Sequence, residues 1–83
     1  MITPHAAFEM MRRRVGEEVI RGILTGPEQR FPVRSSRHVL QSRITFAGKS
    51  YLVRVFVDID RDPTEVVTVY RTSKVGKYWR ETS

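Results

Sequence analysis

The sequence has no cysteine, and its prolines and glycines are few, with four and five in 83 residues. Without cysteine, the chain has no disulfide framework and no thiolate metal site. No apolar run approaches the roughly 20 residues that span a bilayer. The first residues also lack the basic start and apolar stretch of a secretion signal. We therefore expect a cytoplasmic protein of one small domain, residues 1–83, with no membrane partner.

The signatures of metal, phosphate-loop and serine chemistry are absent as well. His5 and His38 lie on different predicted elements, so they do not form a metal site together. The glycines are scattered, and no serine lies in a nucleophile elbow. The acidic residues 58–62 have the spacing that begins a calcium loop, but the Gly and Glu that complete such a loop are missing. We therefore predict an acidic turn there, and we expect no metal and no cofactor.

Positive charge is what the composition does contain. Fifteen Lys and Arg stand against nine Asp and Glu, which gives a net charge of +6. Residues 1–42 and 43–83 share this excess equally, so no charged tail accounts for it. The excess favours a polyanionic partner such as RNA, DNA or an acidic protein, and plain solubility is the alternative. One local run of cations recurs at every third position: Arg71, Lys74, Lys77 and Arg80.

Two short helices are predicted at the start of the chain. The first begins at the N-cap pair Thr3–Pro4 and ends near Arg14 or Val15. Glu9 and Arg13 are four residues apart on its polar face and are expected to pair. The second helix begins after Gly16. The predicted buried face of the first helix consists of Phe8, Met11 and Val15, and that of the second consists of Val19, Ile20, Ile23 and Leu24.

After Gly26–Pro27, which ends the second helix, the apolar pattern changes to a period of two. The predicted strands are Gln29–Val33, His38–Phe46, Tyr51–Ile59 and Glu65–Thr72. Hairpin turns between them predict an antiparallel sheet with both helices on one face, an α+β fold of order ααββββ. A basic, aromatic tail follows over residues 73–83.

Alternation assigns side chains to the two faces of this sheet. In the third strand Val53, Val55, Val57 and Ile59 share one face, and the other face takes Leu52, Arg54, Phe56 and Asp58. In the fourth strand Val67 and Val69 share one face, and Thr68 and Tyr70 share the other. In the tail, Tyr78 and Trp79 have two interpretations: they stack on nucleobases, or they cover an open edge of the small core.

Imidazole, phenol and cations are then the groups left for catalysis. RNA is cleaved without a metal when its own 2′-hydroxyl attacks the adjacent phosphate, provided that a base, an acid and cations are supplied. His5, Tyr70 and Lys74 are residue types that act as a base or an acid, and Arg13 and Arg54 are cations. For each residue a structural alternative remains, such as a helix-end histidine on the surface or a solvated arginine on an antiparallel sheet.

Three segments carry a resemblance to a known family. They are HAAFEMMRRRVGEEVI from residue 5, GKSYLVRVFVDID from residue 48 and VVTVYRTSKVGKYW from residue 66. Over residues 4–79 the chain resembles small toxins of the RelE/ParE-like superfamily. It resembles most closely the uncharacterised bacterial families near BrnT, within the barnase–EndoU–colicin–RelE-like nuclease group. The resemblance implies an ααββββ fold whose sheet presents an open face and its last strand to RNA. It also implies a metal-independent endoribonuclease that is held inactive by an antitoxin.

The resemblance also assigns site residues. His5 matches the N-terminal histidine of the family and Arg13 its helix arginine, while Tyr70, Ser73 and Lys74 match the end of the last strand. We therefore predict RNA and a cognate antitoxin as partners, with the ribosome as a further candidate. The predicted catalytic residues are His5, Tyr70 and Lys74, and the predicted RNA-binding residues are Arg13, Arg54, Arg71, Ser73 and Lys77. The alternatives are a non-catalytic RNA- or DNA-binding module and an inhibitor of a protein target such as gyrase.

Overall fold

The structure is a computed structural model that describes residues 1–81. Its elements are α1 Pro4–Arg12, α2 Glu17–Thr25, β1 Gln29–Arg34, β2 Arg37–Phe46, β3 Lys49–Asp58, β4 Glu65–Thr72 and α3 Val75–Tyr78. The four strands form one antiparallel sheet in the order β1-β2-β3-β4. The predicted α+β fold of order ααββββ is therefore confirmed. The predicted tail contains the short helix α3, and its last two residues lie outside the described part of the chain.

Helix α1 ends at a motif that contains Arg14, whereas the sequence predicted that Gly16 would end it. The N–H of Val15 donates to the carbonyl of Met10 at 2.8 Å, and the N–H of Arg14 donates to that of Met11 at 3.2 Å. These two bonds form a Schellman motif, whose C′ residue adopts the left-handed conformation. Arg14 is that residue, with φ of +55°. The helix consequently ends two to three residues earlier than predicted, and Gly16 serves as the N-cap of α2.

The predicted buried face of α1 is wrong at two of its three positions. Phe8 and Met11 are 55% and 74% exposed, whereas Ala6 and Glu9 face the sheet. The cause lies before the helix, where residues 1–3 pair with β4 through two backbone hydrogen bonds and a parallel bridge. This pairing fixes the rotation of α1 about its axis. An apolar stripe therefore points away from the sheet.

α2 and β3 supply half of the core on the helix-bearing face, which we call the inner face. Ile20 and Ile23 are buried as predicted, while Leu24 lies at the margin and is 39% exposed. Alternation along β3 is confirmed, except that Ile59 follows the strand and is 40% exposed. The inner-face core consists of Ala6, Val15, Ile20, Ile23, Leu40, Val53, Val55, Val57, Val66 and Val69.

A β-bulge in β4 changes one predicted core residue. Val57 pairs with Val66, but the preceding Phe56 pairs with Thr68, so Val67 is an extra residue opposite the two. The alternation is shifted at that point, and Val66 enters the core in place of Val67. Thr68 and Tyr70 still share one face, as predicted, and the register places it on the side of Arg54 and Phe56.

The turn between β2 and β3 follows from its two residues. Ala47 and Gly48 both have positive φ, +53° and +75°, and the flanking Phe46 and Lys49 pair directly. A two-residue loop with both residues left-handed is the type I′ hairpin, which matches the twist of the strands. We call the end of the sheet at which this turn lies the hairpin end.

The second face of the sheet, the outer face, is covered although no long helix lies on it. Val39, Gln41 and Leu52 point to this side and are fully buried. The cover is the C-terminal strap, residues 75–80, whose backbone and side chains contact β1, β2 and β3. The open face that the resemblance implied is therefore partly occupied by the protein itself. Within residues 1–81, no helix is long and apolar enough to cross a membrane.

Candidate nucleic-acid interface

Three predicted site residues meet where α1 lies against β4. His5 is at the first turn of the helix, and its Nε2 lies 3.3 Å from Oγ1 of Thr68. Arg13 is two turns further on, with its guanidinium carbon 4.5 Å from the centre of the Tyr70 ring. Thr68 and Tyr70 are two residues apart on the outer face, about 7 Å along the strand. We call these four residues the α1–β4 seam.

Glu9 orients the arginines of the seam. Its carboxylate accepts two hydrogen bonds from Arg12, at 2.9 and 3.1 Å, and one from Nε of Arg13 at 3.1 Å. The predicted Glu9–Arg13 pair is thus confirmed, although Glu9 is buried towards the sheet instead of facing solvent. Hydrogen bonds from Arg12 and then Arg13 lower the pKa of Glu9 to about 2. Glu9 therefore stays ionised and keeps Arg13 against Tyr70.

Tyr70 packs against the strap, and the pKa of its phenol is lowered there. Its ring meets that of Tyr78 edge to face, with the ring centres 5.7 Å apart. Hydrogen bonds with Tyr78 and Thr72 lower the pKa of the Tyr70 phenol, and the charges of Arg13 and Lys77 lower it further. A phenol in this setting gives up its proton more readily than one in water, which suits it to act as a general acid.

Arg54 lies under the strap, next to the seam. Its guanidinium carbon is 4.4 Å from the centre of the Tyr78 ring and 5.2 Å from that of Phe56. Nε of Arg54 donates to Oε1 of Gln41 at 2.9 Å. Burial is the main cause of a lowered pKa for this guanidinium, and the nearby Arg80 adds to it. Arg54 is thus half-buried and is held by two aromatic rings and the Gln41 amide.

Two glutamines attach the strap to the sheet. Nε2 of Gln41 donates to Oε1 of Gln29 at 2.7 Å and to the carbonyl of Tyr78 at 3.2 Å. Gln29 in turn accepts from the N–H of Arg80 at 3.1 Å and donates to the carbonyl of the same residue. Every polar atom of the buried Gln41 amide is therefore paired. This arrangement fixes where Tyr78 and Trp79 lie on the outer face.

Arginine and aromatic side chains alternate along the strap. Arg43 of β2 lies 4.1 Å from the centre of the Trp79 ring and forms an ion pair with Glu28 at 2.9 Å. Arg80 lies 3.6 Å from the centre of the Phe31 ring. These contacts place Tyr78 and Trp79 over the outer face of the sheet, which favours the covering interpretation of this pair, and stacking on nucleobases stays a prediction.

The remaining predicted cations of this surface follow β4. Lys74 begins α3, and its N–H donates to Oγ1 of Thr72 at 3.0 Å. Ser73, Lys74 and Lys77 are all exposed. Nζ of Lys77 is 5.5 Å from the centre of the Tyr78 ring, on the side of the strap nearest to Tyr70. These residues extend the cationic surface from the seam to the end of the last strand.

Arg71 is the one predicted RNA-binding residue that the structure places elsewhere. It follows Tyr70 in β4, so alternation turns its side chain to the inner face. There its guanidinium carbon lies 4.6 Å from the centre of the Tyr51 ring and 5.2 Å from that of Phe46, at the hairpin end. Arg71 is therefore not part of the surface that contains Tyr70.

Sequence reasoning omitted four residues that build this surface. Thr68 was visible in the alternation of β4, two residues before Tyr70. Glu9 was recognised as the partner of Arg13 but not as a buried one. Gln29 and Gln41 gave no local signal, because their partners are 51 and 37 residues away in the chain. Among residues 1–81, no group of three acidic or histidine side chains is arranged to hold a metal ion.

The chain was also compared with known proteins. No family model, no curated protein and no solved structure matches it. The resemblance to the RelE/ParE-like superfamily therefore stays a prediction, and the function has to be argued from the geometry of the seam.

Proposed function

We propose that the protein is a small, toxin-type, metal-independent endoribonuclease that cleaves RNA, mRNA in the first instance. The observation that carries the proposal is the α1–β4 seam. There the His5 imidazole and the Tyr70 phenol of lowered pKa lie on one surface, with Arg13 against the phenol. These are a base, an acid and a cation, the three groups that cleavage through the 2′-hydroxyl requires.

In this mechanism His5 accepts the proton of the RNA 2′-hydroxyl. The 2′-oxygen forms a bond to the adjacent phosphorus, and the bond from phosphorus to the 5′-oxygen breaks. Tyr70 donates the proton that the leaving 5′-oxygen needs, and Lys74 is the alternative donor. Arg13, Arg54 and Lys77 offset the negative charge that develops on the phosphate oxygens. The products are a 2′,3′-cyclic phosphate and a free 5′-hydroxyl.

Purified protein incubated with single-stranded RNA in EDTA tests this proposal. We expect fragments that end in 2′,3′-cyclic phosphate. We expect His5→Ala and Tyr70→Phe each to lower the rate by about 100-fold or more. His38→Ala is the matched control, because this second histidine contacts Arg30, away from the seam. Intact RNA after incubation at micromolar protein, with and without ribosomes, would rule out the enzyme.

The proposal includes a cognate antitoxin, as in the superfamily that the chain resembles. The net charge of +6 supports an acidic partner. Expression under tight induction is expected to arrest growth, and co-expression of an acidic protein encoded by the adjacent gene is expected to restore it. Growth arrest that persists in the His5→Ala variant would separate toxicity from RNA cleavage.

A non-catalytic RNA-binding module is the second candidate, and one observation favours it. In the described part of the chain His5 contacts the Thr68 hydroxyl, and no carboxylate lies within 4.0 Å of its ring to assist it as a base. A binding module would retain its RNA affinity in the His5→Ala variant and cut nothing. The first candidate predicts that the wild type cleaves RNA, and that the His5→Ala variant keeps its affinity but loses this cleavage.

A further inference from the structure

Nine basic residues within the described range 1–81 form no ion pair, and three of these gather at the hairpin end on the inner face. Arg71 stacks on Tyr51, and Nζ of Lys49 lies 5.8 Å from the same ring centre. Arg14 and Arg71 both line an apolar cleft that Phe46 and Tyr51 also border. We call Arg14, Lys49 and Arg71 the hairpin cluster.

The end of α1 connects this cluster with the seam. Arg13 reaches over the edge of β4 to Tyr70 on the outer face, while Arg14, the next residue, lines the cleft on the inner face. Tyr70 and Arg71 are likewise neighbours in β4 and point to opposite faces. The cationic side chains therefore continue around the edge of the sheet, because Arg13 and Arg14 are adjacent in the chain and lie on opposite faces.

The backbone at Arg14 adds to this argument. Its φ of +55° is one that glycine adopts without strain and that other residues adopt less readily. An arginine at this C′ position is therefore less favourable for the helix end than glycine, and it places a cationic side chain at the cleft.

The carboxylates nearest in sequence do not neutralise the cluster. Glu17 and Glu18 follow Arg14 at the start of α2, but Glu17 pairs with Arg21 at 3.7 Å, and Glu18 has no ion pair in the described part of the chain. Most other acidic residues lie at the opposite end of the sheet, around the loop between β3 and β4: Asp58, Asp60, Asp62 and Glu65. At that end Arg34, Arg37 and Arg61 lie near Asp58 and offset its charge, whereas the hairpin cluster has no carboxylate paired with it in the described part of the chain. A polyanion is thus attracted more strongly to the hairpin end.

Resting on the proposed function, we infer that the RNA-binding surface passes around the edge of β4, from the seam over the end of α1 to the hairpin cluster. The substrate is accordingly a single strand of several nucleotides that runs past the cleavage point and contacts the inner face. Arg14, Lys49 and Arg71 bind its phosphates, and Tyr51 and Phe46 border the path. A dinucleotide fills the seam alone and gains nothing from the cluster.

Binding of two RNA lengths tests this path. The probes are 2′-O-methyl oligonucleotides of about 4 and about 12 residues, which cannot be cleaved, measured by fluorescence anisotropy over a range of salt. In the Arg14→Gly/Lys49→Gln variant we expect about tenfold weaker binding of the long probe and unchanged binding of the short one. The slope of log K against log salt for the long probe should fall by about 1.4, for two lost phosphate contacts.

The variants are chosen so that unfolding does not imitate the result. Arg14→Gly relieves the positive φ, and Lys49 is exposed, so the double variant should fold. Arg21→Ala/Arg61→Ala is the matched control, since it removes two exposed arginines outside the path. Equal affinity of variant and wild type for the long probe, or equal losses for both lengths, overturns the inference alone. If the wild type binds neither probe, the proposed function falls with it.

Discussion

The two faces of the sheet are buried by different kinds of contact. On the inner face β3 presents Val53, Val55 and Val57 to the helices, and the contacts there are aliphatic. On the outer face the same strand presents Leu52, Arg54 and Phe56, and the strap covers them through amide hydrogen bonds and arginine–aromatic stacking. Away from the hairpin end, where Tyr51 stacks with Arg71, the residues of β3 thus face either an aliphatic core or a cover of amides and stacked arginines.

The difference separates stability from recognition. Aliphatic contacts are non-directional and add free energy in proportion to buried area. Stacked guanidinium groups and paired amides add less, but they fix direction and leave donors at the surface. We therefore expect substitutions in the aliphatic inner-face core to change the free energy of unfolding, and substitutions on the outer face or in the hairpin cluster to change the proposed RNA binding more than stability.

Ile23→Ala should have the largest effect on stability. The side chain is almost fully buried in the inner-face core, so its truncation should cost about 3 kcal/mol of unfolding free energy. Urea denaturation measures this loss. RNA affinity of the protein that remains folded should be unchanged, and a parallel fall in affinity would show that the two faces are not independent.

Gln41→Leu should cost less, about 1–2 kcal/mol, because Gln29, Arg54 and the carbonyl of Tyr78 each lose a partner. Trp79 should become more exposed as the strap loosens, which a red shift of its fluorescence reports. Thr45→Val, at an exposed position of the same strand, is the control. Unchanged fluorescence in Gln41→Leu would mean that the stacked arginines hold the strap without the amides.

Thr3→Ala should cost about 1 kcal/mol. The Thr3 hydroxyl accepts from the N–H of Ala6 at 3.1 Å and caps the helix that carries His5 and Arg13. Thr25→Ala is the matched control, since its hydroxyl bonds back to the carbonyl of Arg21 and its loss should be nearly neutral. Thermal melting compares the two. Equal shifts would show that the cap does not stabilise α1.

The smallest expected effect is a dependence of stability on pH that comes from Glu9. The pKa of Glu9 is about 2 in the folded protein, below its ordinary 4.5, so its contribution is present above pH 4.5 and lost as the pH falls towards 2. Glu9→Gln should therefore lower the melting temperature at neutral pH and leave it nearly unchanged in strong acid. Glu17→Gln removes an exposed carboxylate and should show little of this dependence. A constant difference at every pH would contradict the assignment.

The sequence predicted what depends on near neighbours in the chain. The alternation of β3, the turn after Phe46 and the stop at Gly26 are local, and each is where it was expected, although the turn has two residues and β3 begins at Lys49 instead of Tyr51. The rotation of α1 was missed because it is set by pairing between residues 1–3 and β4, more than 60 residues away. The spacing of Phe8 and Met11 correctly predicted a helix, but it did not predict which side of that helix faces the sheet.

The same distinction applies to the site. Alternation placed Tyr70 and Thr68 together, and applied to Arg71 it would have placed that residue on the opposite face. The sequence could not predict that the strap covers the outer face, because the glutamines that bind the strap are far from it in the chain and meet it only in the folded protein. The composition of the tail predicted aromatic contacts without identifying the strands that receive them.

The strap and the N-terminal segment have a consequence for the order of folding. Met1 bonds to Thr64 across 63 residues, and Gln29 bonds to Arg80 across 51. Closing such loops is entropically costly until the intervening hairpins exist, so both contacts are expected to form late. On this basis the chain ends are the first parts to open, and amide hydrogens at 78–80 should exchange well before those of β3.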